Sequence, residues 1–86
     1  MLAAAIVTLI HEPQHSKGVA EEFVAECNAI QLANRTAVSL GASASYAAAL
    51  VRAYWRNYGE ELPAYRSADC RKGGKLDLGY ADSIWP

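Results

Sequence analysis

The pentapeptide His11-Glu12-Pro13-Gln14-His15 carries the residue types of a hydrolytic zinc site. Positions four residues apart lie on one face of a helix, so both imidazoles can reach a single metal ion. Zinc accepts neutral imidazole and carboxylate ligands, and an open fourth position lowers the pKa of water held there to roughly 7. Glu12 is then the candidate catalytic general base. The competing interpretation is an amphipathic helix with two ordinary histidines.

The segment after this motif supplies carboxylates at helical spacing. Glu22, Ala25, Glu26 and Ala29 recur on one stripe, and the two alanines allow a close approach between helices. A turn is predicted over residues 16–18, where the glycine tolerates the backbone angles that reverse the chain. A second helix that folds back would make Glu22 face both histidines. Glu22 is therefore the predicted third ligand, and Zn²⁺ is the predicted metal.

With these residues the chain resembles the zincin metallopeptidases, specifically the gluzincin branch. In that branch a glutamate on a later helix, within an E-x-x-x-D/E element, completes the HExxH site, and residues 22–26 match that element. The resemblance covers about residues 5–32. It implies peptide or protein substrates, Glu12 as the catalytic residue, Glu22 as the third metal ligand, and Glu26 as a carboxylate that orients one of the histidines. Glu26 as the third ligand stays an alternative. Small bacterial proteins with HExxH followed closely by E-x-x-x-E-C are also similar.

Pro13 departs from the family pattern because it lies inside the motif. Proline removes the amide that would bond to the carbonyl of Leu9, at a cost of about 3 kcal/mol in a helix interior. We expect a kink between the histidines, which either displaces His15 or makes the helix restart there.

The ten residues before the motif are almost continuously apolar. They are too few to form the upstream sheet that holds substrate in zincins, and far short of the ~20 residues that span a bilayer. We expect them to be the buried first turns of the metal-binding helix, covered by this domain, by a partner chain or by a missing N-terminal region. This departure, together with the proline, favours an alternative function: a non-catalytic helical interaction module or a degenerate metallopeptidase fragment.

The rest of the pattern predicts an all-α fold with three helices. The second helix is expected to end near Leu40, before Gly41, and the third to cover about 44–58 after an N-cap at Ser43 or Ser45. Its core stripe is formed by Ala47, Leu50, Val51, Tyr54 and Tyr58. Residues 1–64 are then a helical, zincin-like metal-binding core, and residues 65–86 an irregular C-terminal tail packed on it. A tyrosine could assist catalysis, with five candidates: Tyr46, Tyr54, Tyr58, Tyr65 and Tyr80.

The net charge of −1 argues against nucleic acid as a partner, because the chain has no basic stripe. Its two cysteines, Cys27 and Cys70, permit one disulfide, and the alternative is a buried free Cys27 with an unrelated Cys70. A disulfide would favour a secreted or cell-envelope protein of bacterial type, and free thiols a cytoplasmic one. The sequence does not choose between them.

Overall fold

A computed structural model describes residues 2–16, 18 and 20–86. It contains three α-helices, α1 (Leu2–Ser16), α2 (Glu22–Ser39) and α3 (Ala44–Arg56), and two short 3-10 turns at Tyr58–Glu60 and Pro63–Tyr65. No strand occurs among these residues. The predicted all-α fold is therefore confirmed, and α2 packs against both other helices.

Small side chains on α2 allow this packing. Ala25, Ala29, Ala33 and Ala37 recur every four residues on one face of α2, and each of them is buried. The helix ends with Leu40 as its C-cap, and Gly41 follows with a φ of 106°. This is the predicted end of α2, since a positive φ is readily adopted by glycine.

Helix α3 begins where a serine side chain caps it. The hydroxyl of Ser43 accepts a hydrogen bond from the backbone N–H of Tyr46 at 3.2 Å, so Ser43 rather than Ser45 is the N-cap. The helix ends at Arg56, two residues before the predicted end, because a 3-10 turn begins at Tyr58. Trp55 belongs to the buried core, although the predicted stripe omitted it.

Helix α1 runs through Pro13 without interruption, so the prediction that the helix restarts there is wrong. Pro13 and Leu9 are both exposed, and water can therefore hydrate the carbonyl that proline leaves without its amide partner. Val7 and Ile10 are buried as expected, but Thr8 and Leu9 are exposed, contrary to the expectation, and the side chains of residues 1–5 lie outside the described part. No helix among the described residues has the length and apolar character needed to cross a bilayer.

The turn between α1 and α2 contains Gly18 with a φ of 97°, and its N–H donates to the carbonyl of His15 at 3.0 Å. A positive φ at this glycine is what the predicted reversal required. Lys17, which the prediction also included, lies outside the described residues, as does Val19.

The C-terminal segment after Tyr65 has no helix or strand, as predicted, and is fixed to α2 and α3. A disulfide joins Cys27 of α2 to Cys70, with a Cα–Cα distance of 5.8 Å. The alternative of free cysteines is therefore not what the structure contains. The indole N–H of Trp55 also donates to the carbonyl of Ile84 at 2.7 Å.

One buried amide on α2 holds the middle of this tail. The Gln31 side chain donates to the carbonyl of Leu76 at 2.8 Å and accepts from the N–H of Leu78 at 2.7 Å. Only 1% of Gln31 is exposed. Because the tail has no regular structure of its own, this side chain replaces the backbone partners that a helix or sheet would provide.

Candidate metal centre

Three side chains from α1 and α2 converge at one end of the helix pair. His11 Nε2 lies 3.1 Å from His15 Nε2 and 2.8 Å from Glu22 Oε1, and His15 Nε2 lies 3.0 Å from the same carboxylate oxygen. The two histidines are one helical turn apart, and the reversal at residue 18 brings the start of α2 alongside them. The Pro13 position does not separate the imidazoles.

The spacing of these three atoms suits a small divalent cation. Tetrahedral zinc ligands at 2.0–2.1 Å from the ion are about 3.3 Å apart. The three atoms here need to separate by only a few tenths of an ångström to match that spacing. Two imidazole nitrogens and one carboxylate oxygen are also the donor set of open zinc sites. The residues present therefore fit the metal that the sequence predicts.

Glu26 lies on the opposite side of the His11 ring. Its Oε1 atom is 2.8 Å from His11 Nδ1, and both side chains are buried. A ring nitrogen that donates to a carboxylate leaves the other nitrogen to face the metal position. In this arrangement the carboxylate of Glu22, and not that of Glu26, contacts the Nε2 atoms of both histidines.

The charges around His11 shift two pKa values in opposite directions. Burial lowers the pKa of His11, but hydrogen bonds with Glu26 and Glu22 and their negative charges outweigh burial and raise it above 6.5. The hydrogen bond with His11 in turn holds the pKa of Glu22 below its ordinary value. Without a metal, the hydrogen bonds of His11 with Glu26 and Glu22 favour the protonated form of its imidazole.

Helix α3 and the segment after it add a second layer of contacts to Glu26. The Tyr54 hydroxyl contacts Glu26 Oε2, and it lies 2.6 Å from Glu61 Oε1. The Tyr65 ring lies 5.8 Å from the His11 ring between centroids. Burial, with hydrogen bonds to Glu26 and Glu61, raises the pKa of Tyr54 well above 10.

These groups border a cleft of about 300 Å³. Its lining includes the two histidines, Glu22 and Glu26, together with Thr8, Glu12, Tyr54, Glu61 and Tyr65. Glu12, the predicted general base, is exposed at this cleft, beside His11 in the chain. The cleft thus gives solvent and small polar groups access to the converging ligand atoms.

No family model, curated protein or solved structure matches this chain.

The structure brings together every residue that the sequence assigned to the site: His11, Glu12, His15, Glu22 and Glu26. Sequence reasoning missed Glu61 altogether and had no basis for selecting Tyr54 or Tyr65 among the five tyrosines. No local signal marks these residues, because they reach the cleft only through the packing of α3 and the two 3-10 turns that follow it.

Proposed function

We propose that this chain binds a divalent metal ion, zinc by its donor set, through His11, His15 and Glu22. We further propose that the bound form acts as a zincin-like hydrolase on peptide bonds. The observation that carries the proposal is the mutual approach of three ligand atoms from two helices to within 3.1 Å of one another. Hydrogen bonds with Glu22 contribute to this approach, and the three atoms together form the donor set of an open zinc site.

A bound zinc ion would supply a Lewis acid that polarises a carbonyl and acidifies water at an open position. Glu12 is suited to accept the proton of that water, because its carboxylate is exposed at the same cleft. Glu26 keeps the His11 ring oriented through the hydrogen bond at Nδ1. The substrate would be a peptide or protein segment that enters the cleft from solvent.

A structural zinc site is the second candidate. The three ligands connect the last turns of α1 to the first turn of α2, so an ion there would also clamp the two helices. The access of solvent to the cleft favours the catalytic proposal, since structural zinc sites are closed by four protein ligands.

The disulfide supports a location in an oxidising compartment, because such bonds persist in secreted and cell-envelope proteins. We propose this location for the protein together with the hydrolase function.

Metal content tests the first part of the proposal. The full chain is stripped of metal, titrated with zinc against a chromophoric chelator, and compared with Glu22→Ala and with Glu21→Gln. Glu21 is the exposed neighbouring carboxylate, so its variant is the matched control. We expect tight, one-to-one binding by the wild type and the control, and a loss of at least about tenfold in affinity for Glu22→Ala. A wild-type chain that binds no zinc would end both zinc hypotheses.

Hydrolysis of a fluorogenic peptide library by the zinc-loaded chain tests the second part. Glu12→Gln should retain zinc and lose hydrolysis, whereas Glu60→Gln, an exposed carboxylate outside the cleft lining, should retain both. Zinc binding without hydrolysis in the wild type would favour the structural site. Equal hydrolysis by the wild type and Glu12→Gln would show that Glu12 is not the base.

A further inference from the structure

The Tyr54 hydroxyl lies between two carboxyl groups, those of Glu26 and Glu61. A phenol has one O–H, so it can donate to only one of them. The other contact needs a second proton, because two ionised carboxylates cannot both be satisfied by one donor. Counting hydrogen atoms therefore places one extra proton in this cluster.

The surroundings of the two carboxyl groups locate that proton on Glu61. Glu26 Oε1 already accepts from His11 Nδ1 at 2.8 Å, so each oxygen of Glu26 has a hydrogen-bond donor within reach. Glu61 Oε2 is buried without a hydrogen-bond partner, and an unpaired charged oxygen is costly to bury. Burial, and then the neighbouring Glu26, raise the pKa of Glu61 to about 7.

We infer that Tyr54 and a protonated Glu61 are positioning residues of the metal centre. Glu61 donates to the Tyr54 oxygen, Tyr54 donates to Glu26 Oε2, and Glu26 Oε1 accepts from His11 Nδ1. This chain of hydrogen bonds fixes the orientation of Glu26, and with it the ring of His11, so that Nε2 faces His15 and Glu22. The role of Tyr54 and Glu61 in metal binding rests on the proposed function. The hydrogen bonds from Glu61 through Tyr54 and Glu26 to His11 do not require a metal.

Zinc affinity at pH 6, measured on the 86-residue protein, tests this series of hydrogen bonds. Tyr54→Phe should bind zinc roughly tenfold more weakly, the lower end of the effect of losing a partner behind a ligand. Glu61→Gln should stay within about twofold of the wild type, because the amide donates to Tyr54 as the acid does. Tyr58→Phe is the matched control, since its hydroxyl accepts from the N–H of Ser67 at 2.9 Å and not from this cluster. Circular dichroism checks that each variant folds.

NMR spectra of the metal-free protein at pH 6 test the proposed hydrogen bonds independently of zinc binding. We expect the ¹³C carboxyl shift of Glu61 to be that of the protonated acid. Tyr54→Phe should move the ¹⁵N resonance of His11 Nδ1, and Tyr58→Phe should leave it unchanged. These shifts would not follow from a purely structural role of Tyr54 in packing.

Three results would overturn the inference: an ionised Glu61 at pH 6, a His11 resonance unaffected by Tyr54→Phe, or a loss of zinc affinity in Glu61→Gln. A wild type that shows the expected spectra but binds no zinc would support the hydrogen-bonded chain and refute the proposed metal function. The two failures are therefore distinguishable.

Discussion

Replacing Glu61 with glutamine should make the metal-free protein more stable at alkaline pH. Burial and the neighbouring Glu26 raise the pKa of Glu61 from 4.5 to about 7 in the folded chain. The folded state therefore holds this proton across a range of pH in which the unfolded chain has lost it. The stability that Glu61 provides is complete below pH 4.5 and is lost as the pH rises through 7.

The two pKa values set the size of the effect. Their difference corresponds to about 3 kcal/mol, and we expect about 1–2 kcal/mol because water reaches part of the side chain. Glutamine keeps the donor to Tyr54 and carries no charge at any pH. Glu61→Gln should therefore match the wild type at pH 5 and exceed its free energy of unfolding by about 1–2 kcal/mol at pH 8.

Urea unfolding at pH 5, 6, 7 and 8, with a chelator present, measures this difference. The pKa of His11 is also raised, so its contribution to the free energy of unfolding is lost as the pH rises above 6.5. Both proteins contain His11, so this loss is common to them. The lowered pKa of Glu22 acts below pH 4.5, outside the range. Glu60→Gln, an exposed neighbour, should track the wild type. A gap between Glu61→Gln and the wild type that does not grow between pH 5 and pH 8 would refute the reasoning.

Two further predictions concern the attachment of the tail. Gln31→Leu should lower the free energy of unfolding by about 2–4 kcal/mol in urea titrations, because it leaves the carbonyl of Leu76 and the N–H of Leu78 without partners; a loss below about 0.5 kcal/mol would contradict this. Replacing Cys27 and Cys70 together with alanine should cost about 4 kcal/mol by the chain-entropy model for a separation of 43 residues. Thermal unfolding that is equal in the double variant and the wild type would show that the disulfide adds no stability.

The sequence predicted the parts of the site that depend on local periodicity. His11 and His15 share a helix face whatever the remainder of the chain does, and Glu22 and Glu26 share another. A single turn containing glycine then brings the two faces together. This geometry could be predicted because it depends only on helical spacing and on one reversal of the chain at a glycine.

The contacts beyond Glu26 could not be predicted in the same way. Tyr54 lies 28 residues after Glu26, and Glu61 reaches the cluster from the segment after α3. Their contact depends on how α3 crosses α2 and on the path of the chain through the 3-10 turns after α3. No periodicity in the sequence indicates either of these. The burial of Gln31 could not be predicted either, because a glutamine within a helix is usually exposed to solvent. Its amide is buried here because it bonds to the irregular tail.

Pro13 lies inside a continuous helix, so the restart expected as one of two outcomes of a kink does not occur. The cost of about 3 kcal/mol applies to exposed helix interiors as well, because the proline ring also clashes with the carbonyl four residues earlier. Here Leu9 and Pro13 are exposed, so water can take the place of the lost amide, and the helix continues with both imidazoles on one face. The packing of Val7 and Ile10 in the core offsets this penalty, and the motif alone does not reveal that packing.

Helix α2 links the stability of the tail to the geometry of the cleft. Glu22 and Glu26 project toward α1, whereas Cys27 and Gln31 lie roughly on the opposite side of the same helix and hold the tail. A helix fixed on one side by a disulfide and a buried amide cannot easily rotate or slide on the other. Glu22, the proposed metal ligand, and Glu26 are therefore held against α1 by contacts that lie outside the site.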